Sequence, residues 1–149
     1  MKKLVLSAAV AFFATASAMA QTNVDNSTQS GSNQQGITDQ TGNANNNTLM
    51  QSGSGHLSDV KQDGSLNIAS TTQSGSGSDS YVDQNGSGNW ASATQSGSNQ
   101  ASDVNQIGSD NDALTMQSGS NQVSNVDQNG SGNWASTTQS GSNHVSNVD

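Results

Sequence analysis

A Gln-x-Gly unit recurs every 11 residues through this chain, and the interval never slips. The glutamines are Gln29, Gln40, Gln51, Gln62, Gln73, Gln84, Gln95, Gln106, Gln117, Gln128 and Gln139. Their glycines follow at Gly31, Gly42, Gly53, Gly64, Gly75, Gly86, Gly97, Gly108, Gly119, Gly130 and Gly141. Alternate units differ: every second one begins Gln-Ser-Gly-Ser, so the larger period is 22 residues. Segments 84–105 and 128–149 differ at only five positions, the mark of a duplicated two-unit block. A fixed period of this kind means one supersecondary unit stacked on copies of itself.

An 11-residue period fits either a right-handed helical supercoil or one strand plus one tight turn. A helix would need a continuous apolar stripe. Each unit instead carries Gly with several Ser, Asn or Thr, which are poor in helix interiors. Counting each repeat Gln as position 0, position 2 is always Gly and position 4 is Gly again at Gly55, Gly77, Gly88 and Gly132, a placement that a turn needing positive φ explains. Positions 5, 7, 9 and 11 then share one face of a strand. They hold amides, Ser or Ala, small or β-branched residues, and the next Gln. The expected fold is all-β: a solenoid of 22-residue, two-strand rings, cross-β in character and amyloid-forming, about six rings tall.

The acidic residues test that phase. Asp39, Asp59, Asp79, Asp83, Asp103, Asp112, Asp127 and Asp149 fall at outward positions, and Asp63 and Asp110 are assigned to turns. Only Asp25 falls on the inner face, where an unpaired carboxylate is costly. That exception predicts a frayed or absent first strand. The expected organisation is a leader at 1–20, a short segment or frayed strand at 21–28, and the repeat domain at 29–149.

The leader is read from Lys2 and Lys3, the apolar run Leu4 to Phe13, and the small-x-small site Ala18-Met19-Ala20. This is the pattern of a secretory signal peptide, and its apolar run is too short to span a bilayer. Beyond it lie no Cys, Pro or Glu, and only 28% of the whole chain is hydrophobic. An oil-drop core and disulfide staples are therefore excluded as the basis of the fold. The formal charge is −8, and Lys61 is the one basic residue after the leader. A basic nucleic-acid groove and attraction to anionic lipid are excluded with it, and no segment predicts membrane insertion. No motif calls for a cofactor or metal.

Stacked rings set equivalent side chains about 4.8 Å apart. The position-0 glutamines should then form two ladders in which each amide donates to one neighbour and accepts from the other. Asn45, Asn67, Asn89, Asn111 and Asn133 should form a third column of the same kind. Asp39, Lys61 and Asp83 should share an outer column, and Asp127 and Asp149 should meet on adjacent rings, an unfavourable like-charge pair. The ring edges lack the Pro, bulges and caps that block strand addition. Another copy can continue each ladder head to tail, a heterologous contact that grows into a filament.

Gln84-x-Gly86-x-x-Asn89-x-Ala91, closed by Gln95, resembles the curlin repeat, and the units starting at Gln62, Gln106 and Gln128 match at the same positions. The other units keep Gln and Gly and often replace Asn and Ala. The chain is similar to curlins, and to major curlins more than minor ones because it is poor in cations. The resemblance implies an extracellular amyloid fibre, or fimbrium, on the bacterial surface, serving biofilm matrix and adhesion. It also implies passage through the periplasm, an outer-membrane curli secretion pore and a minor curlin nucleator as partners. Major curlins commonly carry a Gly-rich segment after the leader, whereas Gln21 to Thr28 precede the first repeat Gln here.

Other readings are a secreted monomeric solenoid that binds ice or another surface, and a minor nucleator. Ice binding would need a regular outer Thr array, but Met50 and Met116 interrupt the column containing Thr72, Thr94 and Thr138. A catalytic β-helix would need placed acid–base groups. The two histidines, His56 and His144, instead stand at position 5, where amides stand elsewhere. The expected class is structural, not enzymatic. Trp90, Trp134 and Tyr81 are expected on the outer face.

Overall fold

The computed structural model describes residues 12–15 and 22–149. Apart from Phe12–Thr15, the expected leader and its cleavage site lie outside the described residues.

Thirteen strands follow one another without a helix among the described residues. The first, β1, is Phe12–Thr15; then come β2 Val24–Ser32, β3 Gln35–Asn43, β4 Asn46–Ser54, β5 Leu57–Ser65, β6 Ile68–Ser76 and β7 Asp79–Ser87. They continue as β8 Trp90–Ser98, β9 Ala101–Ser109, β10 Asp112–Ser120, β11 Val123–Ser131, β12 Trp134–Ser142 and β13 Val145–Val148. Odd-numbered strands form one seven-stranded sheet and even-numbered strands, β2 to β12, form a six-stranded sheet. Every pairing is parallel, and each repeat Gln stands beside the Gln 22 residues away, as in Gln73↔Gln95 and Gln84↔Gln106. The molecule is therefore the solenoid of two-strand rings that the period predicts.

Alternation along each strand buries one side-chain row and exposes the other. The interior is narrow enough to be filled by small residues. Val60, Val82, Val104 and Val126 of the odd sheet pack against Ala69, Ala91, Ala113 and Ala135 of the even sheet in a single apolar strip. Beside it runs a hydroxyl strip that includes Ser80, Ser102, Ser124, Thr71 and Thr115, all buried. At the lower end the volumes are exchanged: Leu49 fills the strip opposite Gly36, where an added Cβ would come within 2.6 Å of Leu49 Cδ2.

Three local features differ from the sequence expectations. Strand β2 is formed, pairs with β4 over all nine residues, and places Asp25 beside Asn47. Asp25 faces inward by phase yet is exposed, because β2 is the edge of its sheet, and its carboxylate accepts from Asn47 Nδ2 at 3.0 Å and Ser27 Oγ at 2.9 Å. Asp63 lies inside β5 rather than in a turn. The strands run two residues further than the Gly placement suggests. The position-2 glycines sit within them, and the reversal falls at position 4.

That position is left-handed in every unit. Asn33, Ala44, Leu66, Asn99, Asp110, Asn121 and Asn143 have φ between 53° and 61°, and Gly55, Gly77, Gly88 and Gly132 have φ between 64° and 68°. Gly, Asn and Asp tolerate this region, whereas Ala44 and Leu66 bear the steric cost of a Cβ there.

Candidate functional site: the amide ladders and the ring edges

The interior of each ring holds a position-0 glutamine whose two amide hydrogens go to different places. One donates up the stack: Gln40 to Gln62 Oε1 at 2.6 Å, Gln62 to Gln84 at 2.8 Å, Gln84 to Gln106 at 2.9 Å and Gln106 to Gln128 at 2.8 Å. In the even sheet Gln29 donates to Gln51 and Gln51 to Gln73, followed by Gln73 to Gln95, Gln95 to Gln117 and Gln117 to Gln139 at 2.9 to 3.0 Å. The other hydrogen crosses the ring to a main-chain carbonyl 16 residues back, as from Gln95 to Asp79 O at 2.8 Å. Interior members are thus satisfied on both oxygen and nitrogen, which makes a buried amide column tolerable.

The asparagine column works differently. Asn45, Asn67, Asn89 and Asn111 each use Oδ1 to accept the main-chain N–H of the asparagine one ring above, at 3.0 to 3.1 Å. Their Nδ2 groups donate to the position-2 glycine carbonyl of the next ring, Asn45 to Gly64, Asn67 to Gly86, Asn89 to Gly108 and Asn111 to Gly130. Side-chain to side-chain bonds join Asn89 to Asn67 and Asn111 to Asn89 as well. The column is therefore mainly a clip between turns, set by the short asparagine reach.

The opposite corner carries a fourth buried column, which the repeat glutamines and asparagines alone do not disclose. Gln34, His56, Ser78, Gln100 and Gln122 occupy it. Gln100 donates to Gln122 Oε1 at 3.1 Å, and His56 Nδ1 accepts the Ser78 N–H at 3.3 Å, so the imidazole replaces an amide in the stack. The signal was position 5 itself, polar in every unit.

The position-2 glycines are required by close approach between rings. An added Cβ at Gly31, Gly42, Gly53, Gly64, Gly75, Gly86, Gly97, Gly108 or Gly119 would lie 1.8 to 2.0 Å from the carbonyl oxygen of the glycine one ring on. Gly130 and Gly141, nearer the upper edge, meet side-chain atoms of Asn133 and His144 instead, at 3.5 and 3.2 Å.

Outside, the register places Lys61 between Asp39 and Asp83. Its ammonium pairs with Asp83 at 3.9 Å, both side chains being more than half exposed, so the pair adds little stability. Direct stacking does not exhaust the carboxylate contacts. Partial burial raises the pKa of Asp59 from its ordinary value, and Asp39 and Asp83 on neighbouring strands push it further. Asp103 is raised in the same way, by burial first and then by Asp127 and Asp83. These diagonal neighbours escape a column-by-column reading of the sequence.

The two ends of the even-sheet ladder are not alike. Donation runs from low to high residue number throughout. At the lower edge Gln29 Oε1 is buried and, among the described residues, has no donor. At the upper edge Gln139 Nε2 donates across the ring to Val123 O at 2.9 Å. Among the described residues β12 is the edge strand of the even sheet, so that amide meets no Oε1 above it.

The sequence model of the curlin associated repeat matches residues 82–108, which run from β7 to β9. The chain carries the curlin associated repeat over these residues. Comparison with curated proteins and with solved structures returned no match. The match takes in the full set Gln84, Gly86, Asn89 and Ala91, and the next unit, from Gln95, which has Gln100 and Ser102 in place of Asn and Ala. The same geometry extends beyond them in both directions, since the units outside 82–108 keep the register and the ladder bonds. Among the described residues no helix is long and apolar enough to cross a membrane.

Proposed function

We propose that this curlin-repeat chain is the structural subunit of an extracellular, curli-like functional amyloid. It polymerises head to tail and serves surface adhesion and biofilm matrix. The observation that carries the proposal is the polarity of the even-sheet glutamine ladder. A second copy stacked above β12 presents β2, and with it the buried, donorless Gln29 Oε1, to the Gln139 amide. The contact repeats the spacing and chemistry of every ring below it. It satisfies an acceptor that is otherwise buried and unpaired, a defect that costs about 1–3 kcal/mol. Such a contact is heterologous and does not close, so it grows as a filament.

The position-2 glycines and the position-0 glutamines act together in this reading. The first let rings approach to strand spacing, and the second hold them in register once they do. A minor curlin nucleator and an outer-membrane secretion pore are the partners this role calls for. A secretory leader would bring the chain to them. In the uncleaved chain, β1 lies on the outer edge of β3 and pairs with Gly36 through Asp39, so removal of the leader would uncover that edge for growth.

Purified mature protein at neutral pH should form dye-binding fibres with reflections near 4.7 and 10 Å. Gln139→Ala should slow elongation more than the exposed change Ser136→Ala. A stable monomer that never polymerises overturns the proposal, and equal rates for the two variants overturn the ladder mechanism.

A further inference from the structure

The outward faces of the two sheets differ sharply in charge. The odd sheet carries Asp39, Asp59, Asp63, Asp79, Asp83, Asp103 and Asp127 along its face, with Lys61 as the lone cation among the described residues. The even sheet is almost uncharged. Its two central outward columns hold only Asn, Thr, Ser, Leu and Met from β2 through β12, and Asp112 stands in the column beside the turn. The segregation follows from the alternation of units: most acids fall in odd-strand units, while the even strands place Ser-x-Thr before the Gln in β6, β8 and β12, and Asn26-x-Thr28, Thr48-x-Met50 and Leu114-x-Met116 in β2, β4 and β10.

We infer that the even-sheet face is a lateral interface, and that its occupant is the even-sheet face of a second copy in a neighbouring filament. The inference rests on the polymerisation reading above. Odd-to-odd contact would press two acidic faces together, a like-charge juxtaposition that associating surfaces avoid. Odd-to-even contact would bury carboxylates against Thr and Met with no cation to meet them. Even-to-even contact buries neither problem: its centre is neutral, and Asp112 sits at the rim, where water still reaches it.

Size favours the same pairing. Six strands at about 4.8 Å and nine residues at about 3.3 Å give a face of roughly 850 Å² per subunit. A stable interface needs about 800 Å² from each partner, and the filament repeats this face with every subunit. Met50 and Met116 are exposed on it and become covered on pairing, while Thr72 and Thr94 between them are small enough for close approach. Both partners share one ring spacing, so the side-chain rows interlock along the whole length.

The test is mass per length of fibres by scanning transmission electron microscopy, with cross-β diffraction recorded on the same samples. Wild-type fibres should show twice the mass per length of a single solenoid. Thr94→Asp puts a carboxylate in the centre of the even face and should halve it, leaving the diffraction unchanged. Asn129→Asp adds the same charge to the odd face and should leave the pair intact. Single wild-type filaments with normal cross-β diffraction would overturn the pairing while leaving polymerisation standing. Retention of pairs by Thr94→Asp, or their loss in Asn129→Asp, would overturn the choice of face. Failure of the wild type to form any fibre would remove the polymerisation reading and this inference together.

Discussion

Gly53, near the end of β4, and Gly55, in the turn that follows, stand two residues apart, yet the same substitution should have very different effects at each. At Gly53, φ is 120°, and an added Cβ would lie 2.0 Å from Gly75 O and 2.9 Å from its carbonyl carbon. A carbon–oxygen contact normally stays beyond about 3.3 Å, so the rings would have to separate by more than an ångström. That separation would stretch the Gly77 N–H to Ser54 O bond, now 2.9 Å, past bonding distance along with its strand neighbours. Two such bonds at about 1 kcal/mol each, with 1–3 kcal/mol for the Gly-only backbone region, give roughly 4 kcal/mol. At Gly55, φ is 68°, and the nearest atom to an added Cβ is 3.9 Å away. The cost there is the left-handed conformation alone, about 1 kcal/mol, and Ala44 and Leu66 already occupy that corner elsewhere in the chain. In a stack held by nearest-neighbour contacts the damage should be local. The assay is guanidinium unfolding by circular dichroism together with amide exchange. Gly53→Ala should lower the midpoint strongly and expose the β4–β6 amides, while Gly55→Ala should shift the midpoint slightly. Equal effects from the two would refute the argument that ring-to-ring approach, rather than turn conformation, demands the position-2 glycine.

Further predictions concern the core, one turn and the outer face. Gly36→Ser should destabilise by about 1–3 kcal/mol through overpacking against Leu49, and adding Leu49→Thr should recover most of the loss because the pair then matches the rings above. A double-mutant cycle in guanidinium measures the coupling, and additivity would contradict it. Leu66→Asn should stabilise by about 1 kcal/mol, since Leu66 is 62% exposed and left-handed at φ 60°; an unchanged melting temperature would count against this. Asp59 and Asp103 have folded pKa values above the unfolded value of about 3.9. The folded chain therefore binds protons that the unfolded chain has lost, and stability falls as pH rises between those two values. The guanidinium midpoint should climb on acidification from neutral pH through the carboxylate range, and Asp103→Asn should flatten the climb. A wild-type midpoint that drops over that range would refute the assignment.

Much of the architecture was legible because the repeat is a physical instruction as well as a pattern. A beat of 11 without a slip, position-2 Gly and two-residue alternation allow few structures besides a two-strand ring, and Gln at position 0 must stack on Gln. Those relations depend only on chain periodicity and strand geometry. The sequence misled where the deciding contact lay between rings. Position-2 and position-4 Gly both read as turn residues; the reversal falls at position 4, where Asn33, Asn99 and Asn121 also mark it, while the need for Gly at position 2 comes from the carbonyl one ring away. Asp25 read as evidence against a first strand, because a buried carboxylate is costly. At the edge of its sheet it is exposed and accepts from Asn47 and Ser27.

By itself, then, the sequence determined the ring, its register and the inward amides, since period and polarity leave no other way to satisfy them. Only the tertiary structure decided how the asparagines bond, which carboxylates face one another diagonally, and that the ladder has a direction. Each of these depends on where a side chain from one ring reaches on the next, and that reach is set by three-dimensional spacing rather than by order along the chain.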